Sequence, residues 1–488
     1  MTRIVILLMC IVGVINTCNA QNDKNNDFES FRKEINEDFN GFRREIMNEY
    51  IGFVRNPWED SNSNPPIQKP EEEHVPPIVA PKEDSLRTLP NDNPIVIDNI
   101  IKPEPVTPKP EPISPITVIP TIETRVINIE YFGTKCSVRF PLESSYHIKS
   151  INENHIADAL SELSSEKYDN LVYDCLKIRE DLQLCDWAYL LFLERMSETI
   201  CGRETNEATL LMAFVYMQSG YKMRLAHDYK RIYMLFASKH TIFGKPSYNI
   251  EGDEYYGLVE LPSQLAVSKA HFPKEKSLSL IIAQQPLFTV DRSGAKVVSS
   301  SKYTNFRLSY EINKNLISFY STYPSSYYNG DFMTRWAQYA NTPIAPNIAE
   351  TMYHEIREKL HGLTEEEAVN RLLNWVQTGF EYEYDDKVWG YDRTFFAEES
   401  LYYPYCDCED RSVLLSRIIR DVLKLKCLLV YCPGHLFIAV KFNENINGDF
   451  ITVNGNKYIV CDPTYIGASV GCSMPEMSGK TASVILLE

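Results

Sequence analysis

Apolar positions change period several times along the chain, and each change predicts an element. From 413 to 423, Val413, Leu414, Ile418, Ile419, Val422 and Leu423 recur at three- and four-residue steps, with Arg417, Arg420 and Asp421 between them. That is one face of an amphipathic helix. Strand-like runs follow at 426–432 and 435–442, joined by Pro433-Gly434, and at 450–453 and 457–461, joined by Asn454-Gly455. Asn-Gly between apolar runs is the strongest short hairpin signal. Upstream, 349–360 and 364–378 read as helices. The second opens on a Thr364-to-Glu367 capping box and carries Ala368, Leu372, Leu373 and Trp375 on one face.

The region before these is built from similar parts. Positions 126–140 are strand-like, and 171–201 form one helical stretch with Leu176, Leu182, Trp187, Leu190, Leu191, Leu193 and Met196 on its apolar face. Strands are expected at 278–282, 295–298, 306–311 and 316–320, a small β-rich module.

The first 125 residues have a different texture. Residues 1–20 carry Arg3, an apolar run over 4–15 and Cys18-Asn19-Ala20, the layout of a secretory signal peptide and its cleavage site. The run is too short to persist as a membrane span. A secreted or periplasmic protein with no stable membrane insertion is therefore expected. Cys18 offers a lipoprotein alternative, which Asn16 and Thr17 match poorly. Residues 27–55 repeat an aromatic pattern with a period of eleven: Phe28, Phe31 and Ile35, then Phe39, Phe42 and Ile46, then Tyr50 and Phe53. A narrow aromatic stripe on an otherwise charged helix needs a cover. The cover is a second copy of the helix, a protein partner, or the chain's own globular part. More than half of the 28 prolines fall between 56 and 124, so 59–125 reads as an extended, disordered spacer. The pattern as a whole gives an α+β protein in six segments: 1–20 signal peptide, 21–58 amphipathic helix, 59–125 Pro-rich linker, 126–260 first globular domain, 261–345 β-rich module and 346–488 C-terminal domain.

Composition changes the picture mainly for partners. With 66 acidic against 49 basic residues the net charge is −17, which argues against nucleic acid or an anionic membrane surface. The chain has 12 cysteines, of which Cys10 and Cys18 lie in the signal segment. An oxidising compartment would let some of the others pair, with a connectivity that sequence does not reveal.

The candidate chemistry lies in the C-terminal domain. Cys408 stands at or just before the start of the helix, where unpaired backbone N–H groups and the helix dipole favour an anion and ease thiol ionisation. His435 opens one strand, and Asp462 ends a later one. A helix packed on an antiparallel sheet would bring the three together as nucleophile, base and orienter. Cys406-x-Cys408 also has the form of a metal half-site, but no second Cys/His pair with ligand spacing accompanies it. No metal and no cofactor is expected.

This segment resembles the transglutaminase-like superfamily, a circularly permuted relative of the papain-like cysteine proteases, in its secreted bacterial type. The resemblance rests on Asp407-Cys408-Glu409-Asp410-Arg411-Ser412, on Pro433-Gly434-His435 and on Asp462-Pro463-Thr464, with 27 residues separating Cys408 from His435 and His435 from Asp462. Cys406 stands where the family usually has glycine. The resemblance implies that Cys408 attacks an amide carbonyl of a protein or peptide, with His435 taking its proton and Asp462 orienting the imidazole. The acyl group then passes from the thioester to water, the preferred reading, or to an amine. Two alternatives stay open: a catalytically silent binding or scaffold protein on the same fold, and an enzyme switched by oxidation of Cys406 with Cys408. Tyr391, Phe395, Phe396, Tyr402 and Tyr403 are expected to line one wall of the cleft or to pack the core, with the wall preferred for the last two.

The first globular domain follows the C-terminal one almost step for step. A shift of 204 residues sets Ser412 on Ala208, Leu414 on Leu210 and the His435 strand on the Arg231 strand. Asn454-Gly455 then falls within one residue of Glu251-Gly252. Under this shift Cys408 meets Glu204, His435 meets Arg231 and Asp462 lies near Leu258. Residues 126–260 are accordingly expected to be a degenerate transglutaminase-like domain without a nucleophile.

Overall fold

Two six-stranded sheets organise the chain, one in each half. A computed structural model describes residues 41–71, 74–80 and 92–488. The expected signal segment and the 27–40 part of the aromatic repeat lie outside the described residues. In the C-terminal half the strands run in the order Phe450–Val453, Asn456–Cys461, His435–Lys441, Lys426–Cys432, Ala482–Leu486 and Ile97–Ile101. In the first half the order is Tyr248–Ile250, Asp253–Tyr256, Ile232–Ala237, Met223–His227, Gln264–Val267 and Glu59–Asn62. The two lists describe one α+β plan: a helix, a central hairpin, a second hairpin on one side, a late strand on the other, and an N-terminal strand at the outer edge.

The central hairpins share their register as well. Leu429 pairs with Ile438 in one and Leu225 with Met234 in the other, each residue 204 positions from its counterpart. Alternation along these strands buries both faces of each sheet. Leu436, Ile438 and Val440 join the core on the helix side, while Phe437 and Ala439 join a second cluster on the far side. Ile232, Met234 and Phe236 divide from Tyr233, Leu235 and Ala237 in the same way. The helices Asn206–Gln218 and Cys408–Ile418 lie over the helix-side faces. The halves part company after the second hairpin. Gln264–Val267 follows its hairpin closely, whereas Ala482–Leu486 comes only after a long connection that begins at Asp462.

The Pro-rich segment is not a free spacer over its described length. Glu59–Asn62 pairs antiparallel with Gln264–Val267, and Ile97–Ile101 pairs parallel with Ala482–Leu486. Between them Ile78, Ala80, Ile95 and Ile97 cover the outer face of the C-terminal sheet. Apolar and β-branched residues between the prolines supply what a sheet edge needs, a partner for its open N–H and C=O groups. Further on, Arg179 donates to Pro110 O, and the Ile113 N–H donates to Gln218 O. The segment passes so close to Gly220 that a Cβ there would sit 1.9 Å from Glu111 O, which explains a glycine at that positive-φ position.

Other expectations are corrected in detail. Residues 41–54 are helical, but the buried face is Met47, Tyr50, Ile51 and Val54, while Phe42 and Phe53 of the aromatic stripe are exposed. A stacked Tyr50–Phe272 pair and an Arg43–Asp169 ion pair turn that face onto the first half of the chain. The single helix expected over 171–201 is two, Asp169–Asp181 and Asp186–Cys201, broken where Gln183 takes positive φ. The expected strand at 316–320 is the helix Lys314–Tyr320, capped by the Asn313 side chain and burying Leu316, Ile317, Phe319 and Tyr320 on one side. Residues 278–282 form no named strand; Leu278 is instead bridged to Ser238 of the first half. No helix among the described residues is long and apolar enough to cross a membrane.

Candidate active site

Cys408 is the first residue of the helix Cys408–Ile418, with Asp407 as its N-cap. Asp407 Oδ1 accepts from the N–H groups of Glu409 and Asp410, and Asp410 Oδ2 accepts in return from the Asp407 N–H. This reciprocal cap fixes where the helix starts and therefore where the thiol stands. Cys408 itself contributes an N–H that has no acceptor within the helix, as any first-turn residue does. Four residues on, Ser412 Oγ lies 2.8 Å from Cys408 O and 3.0 Å from Leu436 O, and its hydroxyl donates to either. A small buried hydroxyl thus ties the helix start to the strand that His435 opens.

His435 and Asp462 meet at the end of the sheet. His435 Nε2 lies 2.9 Å from Asp462 Oδ2, and both side chains are buried. The other carboxylate oxygen accepts from the N–H groups of Thr464 and Tyr465, so the Asp-Pro-Thr turn orients the acid. His435 Nδ1 is buried and makes no hydrogen bond. It is the ring nitrogen left to exchange a proton with a neighbour. Gly434, the residue before His435, lines the same cavity as Cys408, a cleft of about 700 Å³.

Two side chains that sequence did not single out hold this corner. Gln377 Nε2 points at the carbonyls of Asp462, Tyr465 and Ala468, and Arg411 donates to the carbonyls of Gln377, Phe380 and Pro463. Their role depends on chain segments far apart in sequence, and no local pattern carries it. The two thiols are clearly separated. Cys406 is buried, with Sγ towards Glu381 O, and burial pushes its thiol up, whereas Cys408 is half-buried and lines the cleft. None of the ten cysteines among the described residues is in a disulfide.

The cleft wall differs from expectation. Tyr382, Tyr384 and Tyr391 line it, while Tyr403 packs on Trp389 and Phe395, and Tyr402 lies beneath the Lys296 ammonium. Opposite stand Gln68, Lys69, Pro70, Glu71, His74 and Val75 of the Pro-rich segment. Acidic groups crowd the helix start. Burial raises Asp407 and Asp410 well above the carboxylate range, with the charge of Glu409 adding most to the first and that of Asp407 to the second, and burial with Glu409 nearby pushes Asp385 up to about 8. Carboxylates that keep their protons oppose a thiolate less than ionised ones would. Burial also works against ionising Asp392, but Arg335 and Lys69 outweigh it and hold that acid below its ordinary range. Asp385, Asp392 and Glu409 bring carboxylate oxygens within 4.8 Å of one another, a donor set that suits a hard divalent cation. The chain's own cations already engage it. Lys69 Nζ is 2.8 Å from Asp392, and Arg335 reaches Asp392 at 3.3 Å and Glu409 at 3.9 Å.

The corresponding corner of the first half also holds a cavity. Glu204, Arg231 and Leu258, the positions matched to the triad, line a single cavity of about 50 Å³. It is far smaller than the cleft of the C-terminal half, and no thiol lines it. No family model matches the chain, and neither a curated protein nor a solved structure does.

Proposed function

We propose that the protein is an exported, transglutaminase-like cysteine enzyme that acts on amide bonds of proteins or peptides through a thioester, with water as the usual acyl acceptor. The observation that carries this is the buried His435–Asp462 pair with Nδ1 left without a partner, one residue after Gly434, which lines the cleft that also holds a helix-start cysteine. In this reading His435 Nδ1 takes the Cys408 proton, and the thiolate attacks the carbonyl carbon. The oxyanion is held in part by the Cys408 N–H, and the imidazolium returns its proton to the leaving amine. Asp462 keeps the imidazole in the tautomer with the proton on Nε2 and stabilises its cation. Water then attacks the thioester, with His435 as base. The shared strand order and hairpin register support reading 126–260 as a copy of this domain that exchanged the triad for Glu204, Arg231 and Leu258.

Iodoacetamide labelling of the mature protein near neutral pH, mapped by peptide mass spectrometry, tests the reading. One cysteine, Cys408, is expected to react fast. Cys408→Ala abolishes that label, and His435→Ala slows it by about tenfold or more. Slow and unselective labelling of the reduced protein, indifferent to His435→Ala, would overturn the enzyme and leave a binding module. Labelling of Cys408 only after reductant would point to the redox-switched form.

A further inference from the structure

We propose that residues 67–71 and 74–78 lie in the substrate groove as an intramolecular occupant, and that Lys69 fills an acidic subsite which in a peptide substrate receives a basic side chain. The proposal rests on reading Cys408 as the nucleophile.

The path of the segment is that of a bound extended peptide. At one end Ile67 O accepts from the Gly244 N–H of the first half at 2.9 Å. At the other, Ile78 O accepts from the Ile466 N–H, and the Ala80 N–H donates to Ile466 O, four residues past Asp462. Main-chain pairing of this kind is how strand-adding peptides are held. Between these anchors the His74 ring packs against Tyr384 at 4.4 Å, and residues 68–71, His74 and Val75 line the same cleft as Cys408.

The acidic subsite explains why a lysine sits there. Glu409 directly follows the nucleophile, and its oxygens lie with those of Asp385 and Asp392 in one cluster. Arg335 reaches Asp392 and Glu409, and the Lys69 ammonium brings Asp392 a second cation from a different chain segment. Lys69 is only 14 % exposed, and its charge favours ionisation of all three acids. Removing the segment would take from Asp392 one of the two cations that hold its charge, a loss that another cation entering the cleft would make good. A lysine or arginine side chain of a substrate has the charge and reach to replace it. Pro70 follows Lys69, so the peptide bond after the lysine has no N–H, as befits an occupant rather than a consumed substrate.

Iodoacetamide alkylation of Cys408 in the full mature chain, with EDTA in every sample except the one that receives calcium, reads access to the cleft. Lys69→Ala is expected to speed alkylation several-fold. In that variant Nα-acetyl-lysine N-methylamide should slow the reaction, while the norleucine analogue, equal in shape but uncharged, should not. In the unmodified chain neither analogue has much effect. Asp392→Asn should also speed alkylation but lose protection by the lysine analogue. Unchanged rates in both variants, or equal protection by the two analogues, overturn the proposal. So does protection of Lys69→Ala by calcium and not by the lysine analogue, which would assign the carboxylates to a metal. Failure of the catalytic reading looks different, because His435→Ala would then leave the alkylation rate alone. Calorimetric binding of the two analogues to Lys69→Ala would still decide the subsite.

Discussion

Glu398 is fully buried, with Oε1 accepting from the Ala345 N–H at 2.6 Å and Oε2 accepting from the Tyr320 hydroxyl at 3.0 Å. Burial pushes it up from an ordinary 4.5 to about 7, and these two donors only partly oppose the shift. Between those values the folded chain holds a proton that the unfolded chain has lost. Stability should therefore fall as pH rises from about 4.5 to about 7 and level off above. Glu398→Gln keeps an acceptor for Ala345 without the charge. It should match the unmodified protein at pH 5 and exceed it at pH 8 by up to about 3 kcal/mol, measured by denaturant unfolding at both pH values. A variant with the same pH slope as the parent would show that Glu398 does not titrate there. Cys408, His435 and Asp462 could be singled out at this scale because each sits at a local landmark: a helix start, a Pro-Gly turn, an Asp-Pro-Thr turn. Gln377, Arg411 and Lys69 were not, since their partners are set by tertiary structure alone.

Among the elements, the second hairpins of the two sheets offer a controlled comparison. Asn454 and Gly455 both take positive φ, as do Glu251 and Gly252 at the matching turn. Such turns need left-handed backbone at both positions, which Asn tolerates better than Glu. Glu251→Asn is expected to stabilise the chain by about 0.5 kcal/mol, net of a distant pairing of Glu251 with Arg224 at 3.7 Å. Gly455→Ala should cost about 1 kcal/mol. Urea unfolding of both variants checks the pair, and opposite signs are the point of the test. Hairpins and capping boxes were readable because their determinants lie within a few residues of each other. The Thr364–Glu367 box is present at the start of the helix Glu365–Gly379. Leu316, Ile317, Phe319 and Tyr320 misled because a short apolar run fits a buried strand or a buried helix equally well. The Asn313 cap decides between them.

At the scale of the molecule, the chain's N-terminal portion acts as a strap that closes both sheets and crosses the cleft between them. Composition pointed the other way, since so much proline predicts solvated extended chain. What it could not show is that each sheet leaves an outer edge, and that Glu59–Asn62 and Ile97–Ile101 are the strands that fill them. Ile101 is buried in the core, and Ile97 packs on the outer face of the C-terminal sheet. A spacer and a docked strand differ sharply in hydrogen exchange. The backbone amides of Ile97–Ile101 that face Ala482–Leu486 should be protected to a similar degree as that strand, opening with it as one unit. Ile101→Ala should lower global stability by about 2–4 kcal/mol and release that protection first. Exchange of 97–101 at the rate of free peptide in the parent chain would remove the strap from the fold, and with it the geometry that brings Lys69 to Asp392.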